Sequence, residues 1–511
     1  MKKYNTLFEL LKFPLKLILF GYIMLGISTF LLGDNFSILY TITNPLLLTF
    51  LDLLGKSGSF IILNAPLIIL IKLVSRKTNS YVPIYSAIVG YGVYLVVTAI
   101  FSNNFLPVNA YAEIFNVQFT TVDSNNVVRN LYPIQTGFIA AIIVGLSTRQ
   151  TYKQSRKSHI TLLNFLDNDI LAITLNAISC FILGIIITFI WPTIYNWFEY
   201  LIALISKDIS NPLNLFLYGV IEKILTVLGM SDLIREPFWY GINGGTWLAV
   251  SGESISGDVS IFSSMINSGF ETSTFGKFIT PHYIINMFVY PAIFFAFCTL
   301  HTNNTKKLTL VPTVVVASIL SVLTGCFVPL EMMLLLLCPL LFIVHVFLSA
   351  SLFAILQFLT IHLGFVYSGD TILALPGTLF DFAIHFRNPV IYDSLIKIIG
   401  IGLVFFVIYY FLTIFYYRYL AIDIFQTGEL KKILTNFEDS IDGFNNIKSV
   451  EATPFKLIIE VHDTTNIKRE QLFSIGTDRI TESKNHFTFM LGKKSYMIYL
   501  HLKYIIKNNN D

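Results

Sequence analysis

Glu331 is the only acid between Leu308 and Leu363, in a run that is otherwise almost wholly apolar. A carboxylate in hydrocarbon costs a few kcal/mol or more, so it normally faces a protein interior or a polar cavity. Two residues upstream, Pro329 has no amide hydrogen and leaves a carbonyl unpaired. The run therefore reads as a helix broken, or turned back, next to an acid, an arrangement that holds polar solutes inside membranes. A short surface loop around Glu331 is the competing reading. A second acid, Glu222, stands beside Lys223 in YGVIEKILTVLGM. A contact to a solute and a plain Glu–Lys ion pair both remain open there.

Other side chains with chemical potential lie nearby in sequence. Asp232 precedes REPFWYG, in which Trp239 and Tyr240 offer rings that can stack on a solute or anchor at a membrane interface. Arg235 and Glu236 read as an ion pair at a loop boundary, and Asp258 in SGD reads as a solvated turn acid or part of a polar hairpin. His362 is placed to bond a solute or a backbone carbonyl, whereas His345, inside LLFIVHVFL, reads as a structural histidine. Glu253 is uninformative by itself. The glycines of GGTW and SGES permit close turns but lack the lysine of a phosphate-cradling loop. Cys180, Cys298, Cys326 and Cys338 lie in apolar stretches without CxxC spacing, so neither a disulfide framework, a metal site nor a cofactor is expected.

The elements that must position these groups are membrane helices. Of 511 residues, 54% are hydrophobic and 13% charged, and the mean hydropathy is +0.69, which excludes an ordinary soluble protein. The net charge of +3 is small and dispersed, so no nucleic-acid partner is implied. The N-terminus, MKK followed by FELLKFPLK, has no small-residue cleavage site and reads as a retained first helix with an amphipathic lead-in. Apolar segments follow at 17–32, 59–74, 84–101, 136–146, 170–191, 193–206, 284–300, 311–327, 332–363 and 396–411, about ten spans at roughly 20 residues per crossing. Arg76 and Lys77, and the cluster of Arg149, Lys153, Arg156, Lys157 and His159, mark cytoplasmic loops, while 102–129 reads as an outward loop. The Gly- and Ser-rich stretch 211–278 reads as re-entrant hairpins lining a cavity.

After Tyr419 the composition turns polar. The expected division is a membrane domain over 1–420, a linker over 421–435 and a small α+β domain over 436–511, held on the cytoplasmic side. Phe455, Leu457, Ile459 and Val461 alternate as a half-buried strand does, and FTFML and YMIYLHL are two further β-prone runs.

The order of these features resembles the sugar permeases of the bacterial phosphoenolpyruvate-dependent phosphotransferase system. The likeness is to the glucose, maltose and N-acetylglucosamine superfamily, in which a membrane IIC domain is fused to a cytoplasmic IIB domain. YGVIEKILTVLGM, with Glu222, is similar to that family's YGFIERLLIPFGL, and REPFWYG to the segment that closes it. MFVYPA resembles FGLPA, LTGCFVPLEM resembles LTGITEPIEF, and HLGFVYSG resembles HIGFTFSAG. The resemblance implies a homodimeric, multi-pass permease of the bacterial plasma membrane that takes a sugar or related polar solute. It makes Glu222, Asp232, Trp239, Glu331 and His362 the candidate substrate-binding residues.

Three departures qualify that picture. The family's sugar-contacting glutamate is replaced by Val328, which cannot accept a hydroxyl hydrogen. The paired histidine after its glycine gives way to Ser231 and Asp232. In the tail, VEATPFKLIIEV matches the segment that carries the phosphocysteine, with Thr453 at that position and no cysteine anywhere in 421–511. A cysteine, with a reference pKa of about 8.5, reaches the thiolate where threonine cannot form its counterpart. The tail is therefore expected to be a degenerate IIB domain with no catalytic residue. Three outcomes stand open: a phosphoryl group supplied by a separate IIB protein, a non-transporting sensor or partner-binding protein, and a passive facilitator.

Overall fold

The computed structural model describes residues 2–32, 41–75, 80–102, 119–122, 128–131, 133–134, 136–156, 167–249, 252–268, 274–301, 304–325, 328–365, 376–387, 391–420, 427–477, 479–492 and 494–510. Among them, seven helices are long and apolar enough to cross a membrane, against the ten or so expected, and two more apolar helices are shorter. Arg76, Lys77, Lys157, His159 and most of the 102–129 loop lie outside the described residues. Among the loop's described residues, β1 (Phe119–Val122) pairs with β2 (Val128–Leu131), which runs just past the loop's end.

The first half is built from α1 (Lys2–Leu32), α2 (Pro45–Leu63), α3 (Ala65–Val74), α4 (Val82–Ser102), α5 (Gly137–Ser155) and α6 (Asn168–Ser206). The apolar run expected over 59–74 is divided at Asn64, whose amide side chain donates to the carbonyl of Phe60. Pro66 follows at the start of α3 and cannot donate to the helix before it. Upstream, most of α2 is absent from the expected segments although it is one of the seven helices apolar enough to cross, and Asp52 and Lys56 lie within it. They form an exposed ion pair one turn apart, which helices tolerate well. The segments expected at 170–191 and 193–206 are one helix of 39 residues with Pro192 inside it. Loss of one backbone bond at a proline does not end a helix in a membrane, where neighbouring turns keep theirs. A buried polar network ties α4, α5 and α6 together: Asn176 donates to the carbonyl of Ser86 (2.7 Å) and accepts from Ser147 (2.8 Å).

The stretch expected as re-entrant hairpins is mostly helical. It comprises α7 (Pro212–Leu228), α8 (Asp232–Trp239), a small hairpin of β3 (Thr246–Leu248) with β4 (Ser254–Ser256), and α9 (Asp258–Asn267). Asn211 starts α7 by accepting the amide hydrogen of Leu213, and Pro212 fills the first helical position. Gly229, at φ 70°, ends it in a left-handed turn. Asp258 is fully buried and not the solvated turn acid that its SGD setting suggests. Its two carboxylate oxygens accept the amides of Gly276 (2.8 Å) and Phe278 (3.1 Å), clamping α9 to the entry of the next helix.

That helix, α10 (Thr280–Thr299), contains a π-helical turn at Ile285–Val289. Then come α11 (Asn304–Thr324), α12 (Val328–Leu337), α13 (Pro339–Phe358), α14 (Leu379–Ile384) and α15 (Tyr392–Phe415), the last extended by a π-helical turn at Tyr416–Leu420. The long apolar region expected over 332–363 is divided at Cys338, just before Pro339.

The C-terminal region holds α16 (Thr427–Ser440), β5 (Ile447–Ala452), β6 (Lys456–Val461), β7 (Ile480–Ser483), β8 (His486–Met490) and α17 (Lys494–Asn510). Its sheet is antiparallel throughout, in the order β5-β6-β8-β7. Helix α16 runs across the linker boundary drawn at 435. The expected alternation holds in β6, where Leu457, Ile459 and Val461 are buried. YMIYLHL is not a strand but part of α17, where Met497 and Leu502 are buried against the sheet side of the core. A short run of aromatic and branched residues fits either period, and here packing decides.

The Asp258 clamp predicts that Asp258→Ala destabilises the protein by about 3 kcal/mol, because two buried amides lose their acceptor. Thermal unfolding in detergent checks it, and an unchanged midpoint would show that the amides are satisfied without this carboxylate.

Candidate functional site

Five helices bring a group of ionisable and hydroxyl side chains into one buried cluster. Glu222 and Lys223 come from α7, Arg235 from α8, His282 and Tyr290 from α10, Glu331 from α12 and His345 from α13. Tyr409 of α15 completes it as a sixth contributor. All eight side chains are buried. The left-handed turn at Gly229 makes the cluster possible, since it reverses the chain so that α8 lies back along α7.

Glu222 is the first centre. Its Oε1 accepts from Arg235 through Nε (2.8 Å) and a terminal nitrogen (2.5 Å), and His282 Nε2 lies 2.8 Å away. Glu331 is the second. Its Oε1 accepts from Lys223 Nζ (2.7 Å) and from the Tyr290 hydroxyl (3.1 Å), with His345 Nε2 at 3.8 Å. Lys223 links the two centres, because its Nζ also lies 3.9 Å from Glu222 Oε2. His345 Nδ1 in turn lies 2.9 Å from the Tyr409 hydroxyl.

The charges balance within the cluster: two carboxylates face one ammonium and one guanidinium. A buried charge without a partner would carry a desolvation penalty of several kcal/mol, and each of these is held by at least one opposite charge. What is left over is acceptor capacity. Glu222 Oε2 and Glu331 Oε2 are buried and make no hydrogen bond to any described residue. Each carboxylate oxygen can accept hydroxyl hydrogens, so the pair suits a solute with several hydroxyl groups. Among the described residues no group of histidine, cysteine and acidic side chains could hold a metal ion.

Of the expected site residues, Glu222 and Glu331 are brought together, and Glu331 sits in the first turn of a helix, not in a surface loop. Trp239 adjoins them. Its ring lies 5.0 Å from the Arg235 guanidinium, its edge meets His282 at 5.9 Å, and its Nε1 donates to the Tyr218 hydroxyl (3.0 Å). It is buried, so it acts here as a floor beneath Arg235. Asp232 is half-buried in the first turn of α8, one turn ahead of Arg235. His362 is buried, with Nε2 2.8 Å from Gln357 Oε1. The following backbone is bonded to α10: the Thr280 hydroxyl accepts from the Leu363 amide (2.8 Å), and Tyr283 donates to the carbonyl of Gly364 (2.8 Å).

The sequence suggests neighbours as partners, but the shortest bonds run to residues farther along the chain. Arg235 bonds Glu222, thirteen residues away, while its neighbour Glu236 is exposed. Lys223 makes its short bond to Glu331 and not to adjacent Glu222. His282, Tyr290 and Tyr409 carried no local signal, because each lies in an aromatic, apolar stretch with no acid nearby in sequence. His345 does have the structural bond expected of it, to Tyr409, yet it also borders Glu331.

The Lys223–Glu331 pair predicts strong coupling. Glu331→Leu alone strands a buried ammonium and should cost about 3–5 kcal/mol, whereas Lys223→Met with Glu331→Leu should recover most of it. Chemical denaturation in detergent of the two singles and the double gives the coupling. Additive losses would mean that the pair is not interacting.

A family model described as "Phosphotransferase system, EIIC" matches residues 9–350.

Proposed function

The chain belongs to the phosphotransferase system EIIC family and is a multi-pass membrane protein, a sugar permease component; on that premise we propose that its solute is held at the Glu222–Lys223–Glu331 cluster. The observation that carries this reading is the pair of buried carboxylate oxygens, Glu222 Oε2 and Glu331 Oε2, whose hydrogen-bonding capacity no described residue uses. Sugar hydroxyls donate to them, Trp239 with Arg235 forms one wall, and Asp232 and His362 serve as outer contacts. Movement of the helices that carry the cluster would then expose it to one side and the other of a bacterial plasma membrane, elevator-fashion, in a homodimer of the glucose-superfamily type.

The C-terminal domain fits a degenerate IIB domain on the cytoplasmic side. Thr453 follows the first strand of the sheet, where the resemblance puts the phosphocysteine. Its hydroxyl oxygen accepts from the amides of Lys456 (2.9 Å) and Phe455 (3.3 Å), and its own amide donates to the carbonyl of Lys456 (2.8 Å). This is the bonding of a turn residue. Phosphoryl relay needs a nucleophile that is also a good leaving group, and a threonine hydroxyl is neither. A separate IIB protein therefore supplies the phosphoryl group.

One observation favours a second reading, a non-transporting permease relative that senses a solute or binds a partner. Val328, at the place of the family's sugar-contacting glutamate, packs against the apolar core and offers no acceptor.

Uptake separates the two. Vesicles containing the purified protein are offered a panel of labelled sugars, with and without phosphoenolpyruvate, the general phosphotransfer proteins and an intact IIB domain. Sugar phosphate should accumulate inside only when the IIB domain is added, and Glu222→Gln should weaken sugar binding at least tenfold, about 1.4 kcal/mol. No binding of any sugar under either condition would put the sensor reading first. Thr453→Val should leave uptake unchanged, and a loss there would restore a catalytic role to the tail.

A further inference from the structure

Three helices carry the ionic cluster at one level; at another, two of them touch the C-terminal domain and the third joins them through Cys338. The residue pairs are Tyr290 and Phe297 on α10, His345 and Cys338 on α13 and its cap, and Tyr409 and Tyr417 on α15 and its π extension. Each pair is seven or eight residues apart, about two helical turns or 10–12 Å, so both members lie on nearly the same face. At the first level Tyr290 and His345 border Glu331, and Tyr409 bonds His345. At the second, the ring centroids of Phe297 and Tyr417 are 5.8 Å apart, edge to face, and Cys338 Sγ lies 2.8 Å from the Tyr417 hydroxyl.

Phe455 of the tail is seated on that second level. Its ring centroid lies 5.5 Å from Phe297 and 6.4 Å from Tyr417, both edge to face. Phe455 stands two residues after Thr453, in the turn between β5 and β6. The turn is fixed from two sides: the Thr453 hydroxyl accepts amides from within it, and the carbonyl of Phe455 accepts from Leu491 (3.2 Å) and Gly492 (3.0 Å). The tail thus presents to the membrane domain the very turn in which an active relative would carry its phosphocysteine.

We propose that the Phe297–Cys338–Tyr417 end of this helix column is the docking port for a phosphoryl-carrying domain, and that the chain's own tail occupies it as an inhibitory cap with Phe455 as its plug. This rests on the solute reading above. The partner that fits is a globular domain of the same shape with a cysteine where this tail has Thr453, and it must displace the cap to come within two turns of Glu331. A tail that has lost its nucleophile but kept its seat then regulates access to the port.

The test uses the full-length protein in nanodiscs and, as the probe, an isolated IIB domain that retains its cysteine. Phe455→Ala removes the plug and leaves the Thr453 turn bonds in place, and Phe455→Asp should act more strongly. Both should bind the probe at least tenfold more tightly than the unaltered protein. Amide hydrogen exchange should quicken in residues 453–456 and 416–420. Unchanged exchange would show that the tail does not sit there, and faster exchange without tighter binding would show that the freed surface is not the port; either overturns the proposal. Binding of labelled sugars to the same samples is measured separately. Its absence alongside tighter probe binding would overturn the solute reading and leave the port standing.

Discussion

Lys223 is the charge on which the interior depends. It is buried in a membrane domain, where an ammonium without a counter-charge would not be tolerated, and it is placed between two carboxylates from different parts of the chain. Glu331 answers it at short range and Glu222 at longer range. Glu222 is then left with a charge of its own to balance, which it does through Arg235 and His282. The position of α8, and hence the left-handed turn at Gly229 that returns it toward α7, follows from that second requirement. So does the close approach of the start of α10. The cluster is less a set of independent contacts than one neutral unit, and no member can be removed without exposing another.

Much of this was visible in the sequence in part. A single acid in a long apolar run announces a buried polar site, and Glu331 did so. The acid in YGVIEK was also picked out. What the sequence conceals is pairing. Adjacent residues on a helix point in different directions, so Lys223 makes its short bond to Glu331 and meets neighbouring Glu222 only at 3.9 Å, while Arg235 passes over Glu236 to bond Glu222. His282 and Tyr409 belong to the site only because helices from distant parts of the chain converge. Hydropathy likewise located many of the helices, though little of α2, and not their ends. Prolines 66 and 192 have the same chemistry and opposite outcomes: one coincides with a break capped by Asn64, the other is carried inside a continuous helix.

On the degenerate-IIB reading proposed above, the tail is a domain that has outlived its chemistry. Alternation of apolar residues in β6 preserves its core, and Phe437 on α16 still packs edge to face on Phe489 of β8 at 5.7 Å. Folding requires only that such faces be matched. Nothing in that requirement protects a nucleophile at the end of β5, and a threonine there serves the turn well by accepting two backbone amides. Selection for packing and selection for reactivity act on different atoms of the same loop.

The length of α6 ties the molecule to the thickness of its surroundings. Its 39 residues extend about 58 Å at 1.5 Å per residue, nearly twice the roughly 30 Å of hydrocarbon in a bilayer. Ordinary tilts of up to about 40° cannot absorb that difference. The 24 residues before Pro192 measure about 36 Å, so the proline falls close to where the helix leaves the acyl chains. Beyond it Trp197 and Tyr200 are exposed by 59% and 65%, the amphipathic rings that settle at headgroup depth. A thicker or thinner bilayer would therefore load this helix at its proline, and lipid composition becomes a mechanical variable for the protein.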